Sequence, residues 1–324
     1  MNGKDFLTLA ELTPRDVESV LGLSERLKNL RAEGLGSKAL SGKSVALVFE
    51  KPSTRTRVSF QVAVSELGGT AISLSSNELQ LGRGETVEDT GHVLSRYVHC
   101  IMARVNRHAD LERLAKSSNV PVINGLSELH HPVQILADLL TLKEHKMKLK
   151  GLKVAWVGDG DNVCNSWAIG SALTGIHFVA ATPKGYEPSA EIVALASNMA
   201  EATGGSIEIV NEPREAVAGA DCVITDTFVS MGLEEEKRKR TEAFLPKYQV
   251  NASLMSMAKV ALKPGLKTEP FMYASTGPGE PGPGRDNVFW PPAAPPAINR
   301  FRWLPLFSML PAKNRYKFPP DMFP

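Results

Sequence analysis

Residues 44–60 read SVALVFEKPSTRTRVSF, and this stretch decides the fold because it joins a strand pattern, a polar turn and the start of a helix. Ser44–Phe49 is a short apolar run, typical of a strand that is buried on both faces of a parallel sheet. Beyond the turn, Phe60, Val64 and Leu67 recur at the spacing of one helix face. This order predicts parallel α/β architecture.

The same alternation continues outward from this stretch to about residue 260. Further strands are predicted at residues 100–103, 120–123, 153–157, 178–181 and 222–225. One helix is predicted to begin at Pro14, with Thr13 as its N-cap, and a long helix at Pro132. The sequence therefore predicts two parallel-sheet α/β domains.

The polar segment KMKLKGLK at residues 146–153 is interpreted as the domain boundary. Residues 1–150 are predicted to form the first domain and residues 151–264 the second. Residues 265–324 are expected to be an atypical tail, because most of the 22 prolines fall from Pro264 onward. Stretches such as STGPGEPGPG predict irregular structure, since Pro lacks a backbone donor and Gly lacks restraint.

The composition argues against several classes of function. The net charge of +2 is too small to predict a nucleic-acid-binding face. There is no apolar run of about 18 residues and no secretory signal, so neither a membrane span nor export is expected. The three cysteines lie far apart and suit neither a disulfide framework nor a metal site, which favours the cytoplasm.

The strongest sign of chemistry is the string STRTR at residues 53–57, at the predicted junction of strand, turn and helix. A helix N-terminus exposes backbone N–H groups and a positive dipole end, both of which suit a phosphate. The hydroxyls of Ser53, Thr54 and Thr56 and the guanidinium of Arg55 add donors. A solvated helix cap with incidental arginines is the alternative interpretation, and the position of the whole string favours the anion site.

A second sign is His131-Pro132-Val133-Gln134. Proline in the first helical position places His131 at the helix start, and Gln134 lies three residues further on the same face. An imidazole there could donate to a carbonyl oxygen that gains charge during a reaction. The alternative is a helix-start histidine without a role. His130 fits the chemistry equally well, so the residues alone do not choose between the two.

A third sign is the turn GDGDN at residues 158–162, which follows a predicted strand. It lacks the full G-x-G-x-x-G pattern, and Asp159 and Asp161 would repel a pyrophosphate, so a dinucleotide site is disfavoured. Asn162 and Asp226 suit a cationic amino acid better, with Ser230-Met231-Gly232 in the same loop as Asp226. Asp226 could equally be an ordinary turn residue.

Two other polar residues are candidates for the same pocket. Arg104 follows the predicted strand CIMA, and Gln80 lies in the glycine-containing loop ELQLGRGET. Both could equally be surface residues. The charged run EEEKRKR at residues 234–240 is predicted to be a solvated face.

The motifs FEKPSTRTRVSF, ELQLGRGETVEDT, HPVQILADLLT, WVGDGDNV and TDTFVSMG together resemble the ornithine branch of the aspartate/ornithine carbamoyltransferase family over about residues 5–260. The resemblance implies two α/β domains with the active site in the cleft between them. It also implies a homotrimer or a multiple of trimers, with no metal and no organic cofactor. The implied reaction converts carbamoyl phosphate and ornithine to citrulline and phosphate in arginine metabolism.

The resemblance also assigns residues and selects His131 over His130. Carbamoyl phosphate is expected to bind Ser53, Thr54, Arg55, Thr56, Gln80, Arg104, His131 and Gln134, with Gln80 often serving a neighbouring subunit. Ornithine is expected to bind Asn162, Asp226, Ser230 and Met231. The catalytic roles are expected to fall on Arg55, Arg104, His131 and Asp226.

The chain departs from the family after Pro270-Phe271-Met272. The family has His-Cys-Leu-Pro and then an arginine there, whereas this chain reads YASTGPG at residues 273–279, and no cysteine follows Cys222. A reading-frame change near residues 260–270 and a genuinely diverged tail both account for this, and the gene sequence would separate them. Impaired catalysis is expected in either case. The alternatives are a non-catalytic carbamoyl phosphate-binding protein and a carbamoyltransferase for another amine.

Overall fold

The computed structural model describes residues 5–75, 78–79, 84–229, 234–259, 261–263, 266–268 and 271–274. These residues form two compact units. Unit 1 contains residues 5–11 and Arg15–Val133, and unit 2 contains Leu12–Pro14 and the described residues from Gln134 onward. Each unit is built on a parallel sheet with flanking helices, which confirms the predicted α/β class.

Unit 1 has a four-stranded parallel sheet in the order β2-β1-β3-β4. Its strands are β1 (Ser44–Phe49), β2 (Thr70–Ser75), β3 (Cys100–Arg104) and β4 (Val122–Leu126). Its helices are α1 (Pro14–Ala32), α2 (Thr54–Glu66), α3 (Val87–Tyr97) and α4 (His108–Ser117), preceded by a 3-10 helix at Leu9–Glu11. Pro14 itself is grouped with unit 2.

The central strands of unit 1 bring two loops to one edge of the sheet. β1 and β3 are apolar because helices cover both faces, and their core side chains are almost completely buried. The parallel register places Phe49 opposite Arg104. The turn after β1 and the loop after β3 therefore leave the sheet at the same carboxyl edge.

Unit 2 has a five-stranded sheet in the order β11-β8-β5-β6-β7 and a separate antiparallel ribbon, β9-β10. The strands are β5 (Lys153–Val157), β6 (His177–Ala181), β7 (Ser206–Val210), β8 (Cys222–Thr225), β9 (Ala261–Lys263), β10 (Leu266–Thr268) and β11 (Phe271–Ala274). The helices are α5 (Pro132–Lys146), α6 (Asn162–Thr174), α7 (Ala190–Thr203), α8 (Pro213–Val217), α9 (Lys237–Phe244) and α10 (Ala252–Met255), with a 3-10 helix at Glu234–Glu236. The first two residues of α5 belong to unit 1.

The core of unit 2 is packed by large side chains from the sheet and from α6. Trp156, Trp167 and Phe178 are almost fully buried, and the rings of Trp167 and Phe178 stack with centroids 6.3 Å apart. All strands of this sheet run parallel, so the turns after β5 and β8 also share one carboxyl edge.

All the predicted strands are present. The sequence analysis did not predict β2 and β7, and it predicted irregular structure for part of the tail that forms strands. Residues 266–268 form β10, which pairs antiparallel with β9, and residues 271–274 form β11, which pairs in parallel with β8. Residues 275–324 lie outside the described residues. The domain boundary near residue 150 stays a prediction. Among the helices that the structure describes, none has the length and hydropathy that a membrane crossing requires.

Candidate functional site

The start of α2 presents backbone N–H groups at the carboxyl edge of the unit 1 sheet. Ser53, the N-cap, is extended (φ −155°, ψ 101°), and within the described residues its side chain makes no capping hydrogen bond. The first helical backbone bond runs from Arg57 N to Ser53 O at 3.1 Å. Thr54 and Arg55 are exposed. The first turn of α2 can therefore donate to an anion.

Arg104, the last residue of β3, reaches this helix start. Its Nη1 donates to Thr56 Oγ1 at 3.2 Å, and Thr56 is buried. In the part of the chain that the structure describes, the buried Nε of Arg104 has no hydrogen-bond partner. Burial, together with the charge of Arg55, lowers the pKa of Arg104 to about 10. A half-buried cation with an open donor suits a phosphate or a polarised carbonyl.

His131 precedes Pro132, the first residue of α5, and lies within electrostatic reach of Arg104. Burial, with a contribution from Arg104, lowers the pKa of His131 to about 3. The ring is therefore neutral near pH 7 and carries one N–H that can donate. Arg104 and His131 together therefore supply one positive charge and one neutral hydrogen-bond donor.

Gln134 is oriented by a residue that the sequence analysis missed. Its Nε2 donates to Asp138 Oδ1 at 2.7 Å, and Asp138 is 2% exposed. The signal was present in the sequence, because Gln and Asp at i, i+4 face each other on a helix. Asp138 therefore fixes the direction of the Gln134 amide.

His130 has a different environment from that of His131. Its ring packs edge-on against His108, with centroids 5.1 Å apart, and burial and His108 lower its pKa to about 4. His131 therefore interacts electrostatically with Arg104, whereas His130 packs against His108.

In unit 2, the turn after β5 is built for close approach of the backbone. Gly158 has φ +152°, and a Cβ on Gly160 would lie 2.2 Å from Pro188 N. Asp161 then caps α6, with Oδ1 accepting from Val163 N at 3.0 Å and from Cys164 N at 3.3 Å. Only glycine fits at position 160, which explains the pattern GDGDN.

Three carboxylates interact at this edge of unit 2. Burial, followed by the charges of Asp226 and Asp159, raises the pKa of Asp161 well above its usual value. Asp226 follows β8, is 9% exposed, and accepts from Thr227 N at 2.7 Å. Like charges held together in this way favour a proton or a cationic ligand.

Arg240 of α9 pairs with one of these carboxylates, Asp159, although residues 234–240 were predicted to be a solvated face. That prediction is wrong for Arg240, whose side chain is 11% exposed. Its Nε also donates to Glu236 at 3.0 Å, and its guanidinium lies 5.2 Å from the Tyr186 ring centre. Charge spacing along the helix did not reveal this pair, because the partner lies 81 residues away.

The remaining candidates are placed as follows. Asn162 is the first residue of α6 and is half-buried. Gln80, Ser230 and Met231 lie outside the described residues. Among the described side chains, no group of three or more His, Cys, Asp or Glu is arranged to hold a metal ion.

Two family models match the chain. The model described as aspartate/ornithine carbamoyltransferase, carbamoyl-P binding domain, matches residues 4–144. The model described as aspartate/ornithine carbamoyltransferase, Asp/Orn binding domain, matches residues 150–263.

Curated and solved proteins are similar over most of their length. The ornithine carbamoyltransferase of Archaeoglobus fulgidus is 49% identical over 256 residues, which cover 79% of this chain and 82% of that protein. The solved ornithine carbamoyltransferase from Pyrococcus furiosus has a TM-score of 0.86 and 41% identity, covering 97% of this chain and 99% of its own. The anabolic enzyme from Campylobacter jejuni has a TM-score of 0.81 and 36% identity, covering 94% and 97%.

Proposed function

The chain belongs to the aspartate/ornithine carbamoyltransferase family, and from this we infer that it transfers the carbamoyl group of carbamoyl phosphate to ornithine. The products are citrulline and phosphate. One observation favours ornithine over aspartate as the acceptor. Asp159, Asp161 and Asp226 interact in unit 2 with Arg240 as the partner of one of them, so this edge attracts an ammonium group and repels a second carboxylate.

Unit 1 is proposed to bind carbamoyl phosphate. The backbone N–H groups of α2, with Ser53, Thr54, Arg55 and Thr56, hold the phosphate at the helix start. Arg104 contacts both the phosphate and the carbamoyl oxygen, and His131 donates its N–H to that oxygen. Gln134, which is grouped with unit 2, is proposed to bind the carbamoyl amide. Gln80 completes this set.

Unit 2 is proposed to bind ornithine through Asn162, Asp226, Ser230 and Met231. The carboxylate of Asp226 attracts the ammonium group of the acceptor, and the N-terminal turn of α6 presents Asn162 beside it. The ammonium group that reacts must first lose a proton, and the raised pKa of Asp161 brings that carboxyl closer to the role of proton acceptor.

The reaction then needs no covalent intermediate on the protein. The lone pair of the ornithine δ-nitrogen forms a bond to the carbamoyl carbon, and the bond from that carbon to the phosphate oxygen breaks with its electron pair. The proton in excess on the nitrogen passes to the departing phosphate. Arg55 and Arg104 stabilise the charge on the departing phosphate, while His131 and Arg104 stabilise the carbonyl oxygen. Holding both reactants in place supplies part of the rate enhancement, about 7–11 kcal/mol at best.

The test is citrulline formation by the purified chain with saturating carbamoyl phosphate and ornithine, and with aspartate or putrescine in place of ornithine. Citrulline from ornithine, with no product from the other two amines, supports the proposal. Because His-Cys-Leu-Pro is absent after Met272, the rate is expected to be about 10²–10³ below that of a chain carrying it. A chain that binds no carbamoyl phosphate would refute the proposal.

A second candidate function is favoured by the same departure from the family. Without the cysteine and arginine of the usual C-terminal motif, the chain could be a non-catalytic carbamoyl phosphate-binding protein. Carbamoyl phosphate binding by calorimetry, without citrulline, would establish this alternative. Product from putrescine but not from ornithine would instead indicate another amine acceptor.

We also propose that the chain assembles as a homotrimer or a multiple of trimers in the cytoplasm. Val58 of α2 and Ile72 of the edge strand β2 are 51% and 40% exposed, which favours their burial against another copy. All three cysteines are buried and free, as suits a reducing compartment. Sedimentation equilibrium at several concentrations tests the assembly, and a monomer at all of them would refute it.

A further inference from the structure

We propose that Ser127 positions His131 toward the carbamoyl group, by fixing the peptide bond between His130 and His131. This role rests on the proposed binding of carbamoyl phosphate in unit 1. Ser127 lies in the loop from β4 to α5, is completely buried, and has not been given a function above. The residues that carry the argument are Asn124, Ser127, His130 and His108, here called the Ser127 cluster.

The peptide bond before His131 is held by several donors. The His130 carbonyl oxygen accepts from Ser127 N at 3.0 Å, and from Ser127 Oγ and Asn124 Nδ2 at 3.4 Å each. On its other side, His130 N donates to Ser127 Oγ at 3.2 Å. The carbonyl of residue 130 and the nitrogen of residue 131 share one rigid plane. These bonds therefore set the orientation in which the backbone enters His131.

The backbone that leaves His131 is restrained as well. A residue before proline is confined to extended conformations by the proline ring, and here that ring belongs to Pro132. Pro132 begins α5, and the next residue, Val133, is completely buried. His131 is thus restrained by the Ser127 cluster on one side and by the helix start on the other, so the direction of its imidazole follows from the backbone.

The Ser127 hydroxyl also joins this loop to the start of α4. His108 Nδ1 lies 2.8 Å from Ser127 Oγ, and His108 is the first residue of α4, four positions after Arg104. Asn124 Nδ2 donates to Leu7 O at 2.8 Å, which anchors the cluster to the N-terminal segment. This hydroxyl therefore ties the loop before α5 to the start of α4, which adds to the restraint on the peptide bond before His131.

Burial strengthens the hydrogen bonds of the Ser127 cluster. Asn124 and Ser127 are completely buried and His108 is 8% exposed, so water does not compete with their hydrogen bonds. Replacing Ser127 by Ala keeps the backbone bond from residue 127 to His130 and removes only the hydroxyl contacts. The loop is then expected to keep its fold, while the orientation of the His131 imidazole becomes less well fixed.

The experiment compares the affinity of wild-type chain and of Ser127→Ala for carbamoyl phosphate and for inorganic phosphate, by titration calorimetry. Phosphate alone is held by the α2 start and the arginines, whereas the carbamoyl oxygen also needs His131. We expect S127A to bind carbamoyl phosphate about tenfold more weakly and to bind inorganic phosphate with unchanged affinity. Ser127→Thr, which keeps the hydroxyl, is expected to restore most of the loss.

Ser24→Ala is the matched control. Ser24 is 4% exposed in the same unit, and its hydroxyl donates to Val20 O at 2.7 Å within α1, so this change removes one buried hydroxyl bond remote in sequence from residues 124–131. S24A is expected to leave both affinities unchanged. If S127T does not fold, the comparison of S127A with S24A still decides the matter.

Two results would refute the role of Ser127 and leave the proposed function standing. One is wild-type carbamoyl phosphate affinity in S127A. The other is an equal loss of affinity for both ligands, which indicates general damage to unit 1. A wild-type chain that binds inorganic phosphate but not carbamoyl phosphate would instead refute the proposed function, and with it the role of His131.

Discussion

Arg104 is half-buried and His131 is buried, and the two side chains respond to burial in different ways. Arg104 keeps its charge, because a pKa lowered to about 10 is still well above neutrality. His131 loses its charge, because its pKa falls to about 3. The pair therefore offers one full charge and one neutral donor, and two adjacent positive charges do not have to be buried together.

Thr56 holds Arg104 in this arrangement, and its replacement tests the contact. Thr56→Val keeps the shape of the side chain and removes the oxygen that accepts from Arg104. We expect affinity for carbamoyl phosphate to fall about tenfold in calorimetry, since hydrogen bonds to charged groups are worth about 1.5–3 kcal/mol. Thr141→Val is the control, because Thr141 is 4% exposed and donates only within α5 in the described contacts. Unchanged binding by T56V would contradict the assignment.

Asp159, Asp161 and Asp226 form the acidic edge of unit 2, and ionisation of Asp161 is unfavourable there. Because burial, Asp226 and Asp159 raise its pKa, ionisation is harder in the folded chain than in the unfolded chain. Stability is therefore lost as pH rises from the ordinary carboxyl pKa through the raised value. Asp161→Asn keeps an oxygen to cap α6, and it is expected to raise the free energy of unfolding at pH 8 by about 1 kcal/mol.

Urea unfolding of D161N and of the wild-type chain at several pH values measures this effect. The wild-type chain should become less stable with rising pH over this window, and the variant should show a smaller change. A variant less stable than wild type at pH 8 would show that the ionised carboxylate is the better cap and that the repulsion is minor.

At the scale of elements, α9 is held to the β5–α6 turn by the buried pair of Arg240 and Asp159. Removing one partner leaves a buried charge without compensation, so Arg240→Ala is expected to destabilise unit 2 by about 3–5 kcal/mol. The double variant Arg240→Met with Asp159→Asn should recover most of the loss, since no isolated charge remains. Chemical unfolding of both variants measures the difference, and equal losses would contradict the burial argument.

The sequence predicted the buried strands better than the edge strands. β1, β3, β5 and β8 are continuous apolar runs because neighbours cover both faces, and each was found within a residue or so of its bounds. β2 and β7 lie at the edges of their sheets, with half-exposed and polar residues, so their patterns were too weak to recognise.

The candidate site divides in a similar way. Thr56, Arg104, His131 and Asp226 were predictable, because each lies next to the end of a strand or the start of a helix that the pattern located. Ser127, Asp138 and Arg240 were not predicted. Arg240 acts through a partner distant in sequence, since 81 residues separate it from Asp159. Ser127 contacts His130 three residues away, but this contact lies in a loop, where no helix or strand period marks it. Such pairs follow from the packing of the chain and have no local pattern.

At the scale of the whole molecule, the two units are expected to respond to pH in opposite directions. In unit 1, burial lowers the pKa of His130 to about 4 and that of His131 to about 3. The unfolded chain takes up protons below about 6.5, and the native unit does not until lower pH, so unit 1 loses stability on acidification. In unit 2, the raised pKa values of Asp159 and Asp161 make stability increase on acidification.

Hydrogen exchange followed by mass spectrometry separates the two responses. Between about pH 8 and 5.5, after correction for intrinsic exchange rates, protection should decrease in peptides from β1 and β3 and increase in those from β5 and β8. His130→Gln should weaken the response of unit 1, leaving the part that His131 contributes, without altering that of unit 2. Responses of the same sign in both units would contradict the prediction.

The pairing of β11 with β8 also bears on how the sequence of such a protein changes during evolution. Phe271 lies opposite Cys222 and Ala274 opposite Thr225, so backbone bonding brings the chain out beside the acidic edge whatever residues come next. Because backbone groups make this pairing, a change in the gene downstream of codon 274 leaves the register of β11 on β8 as it is.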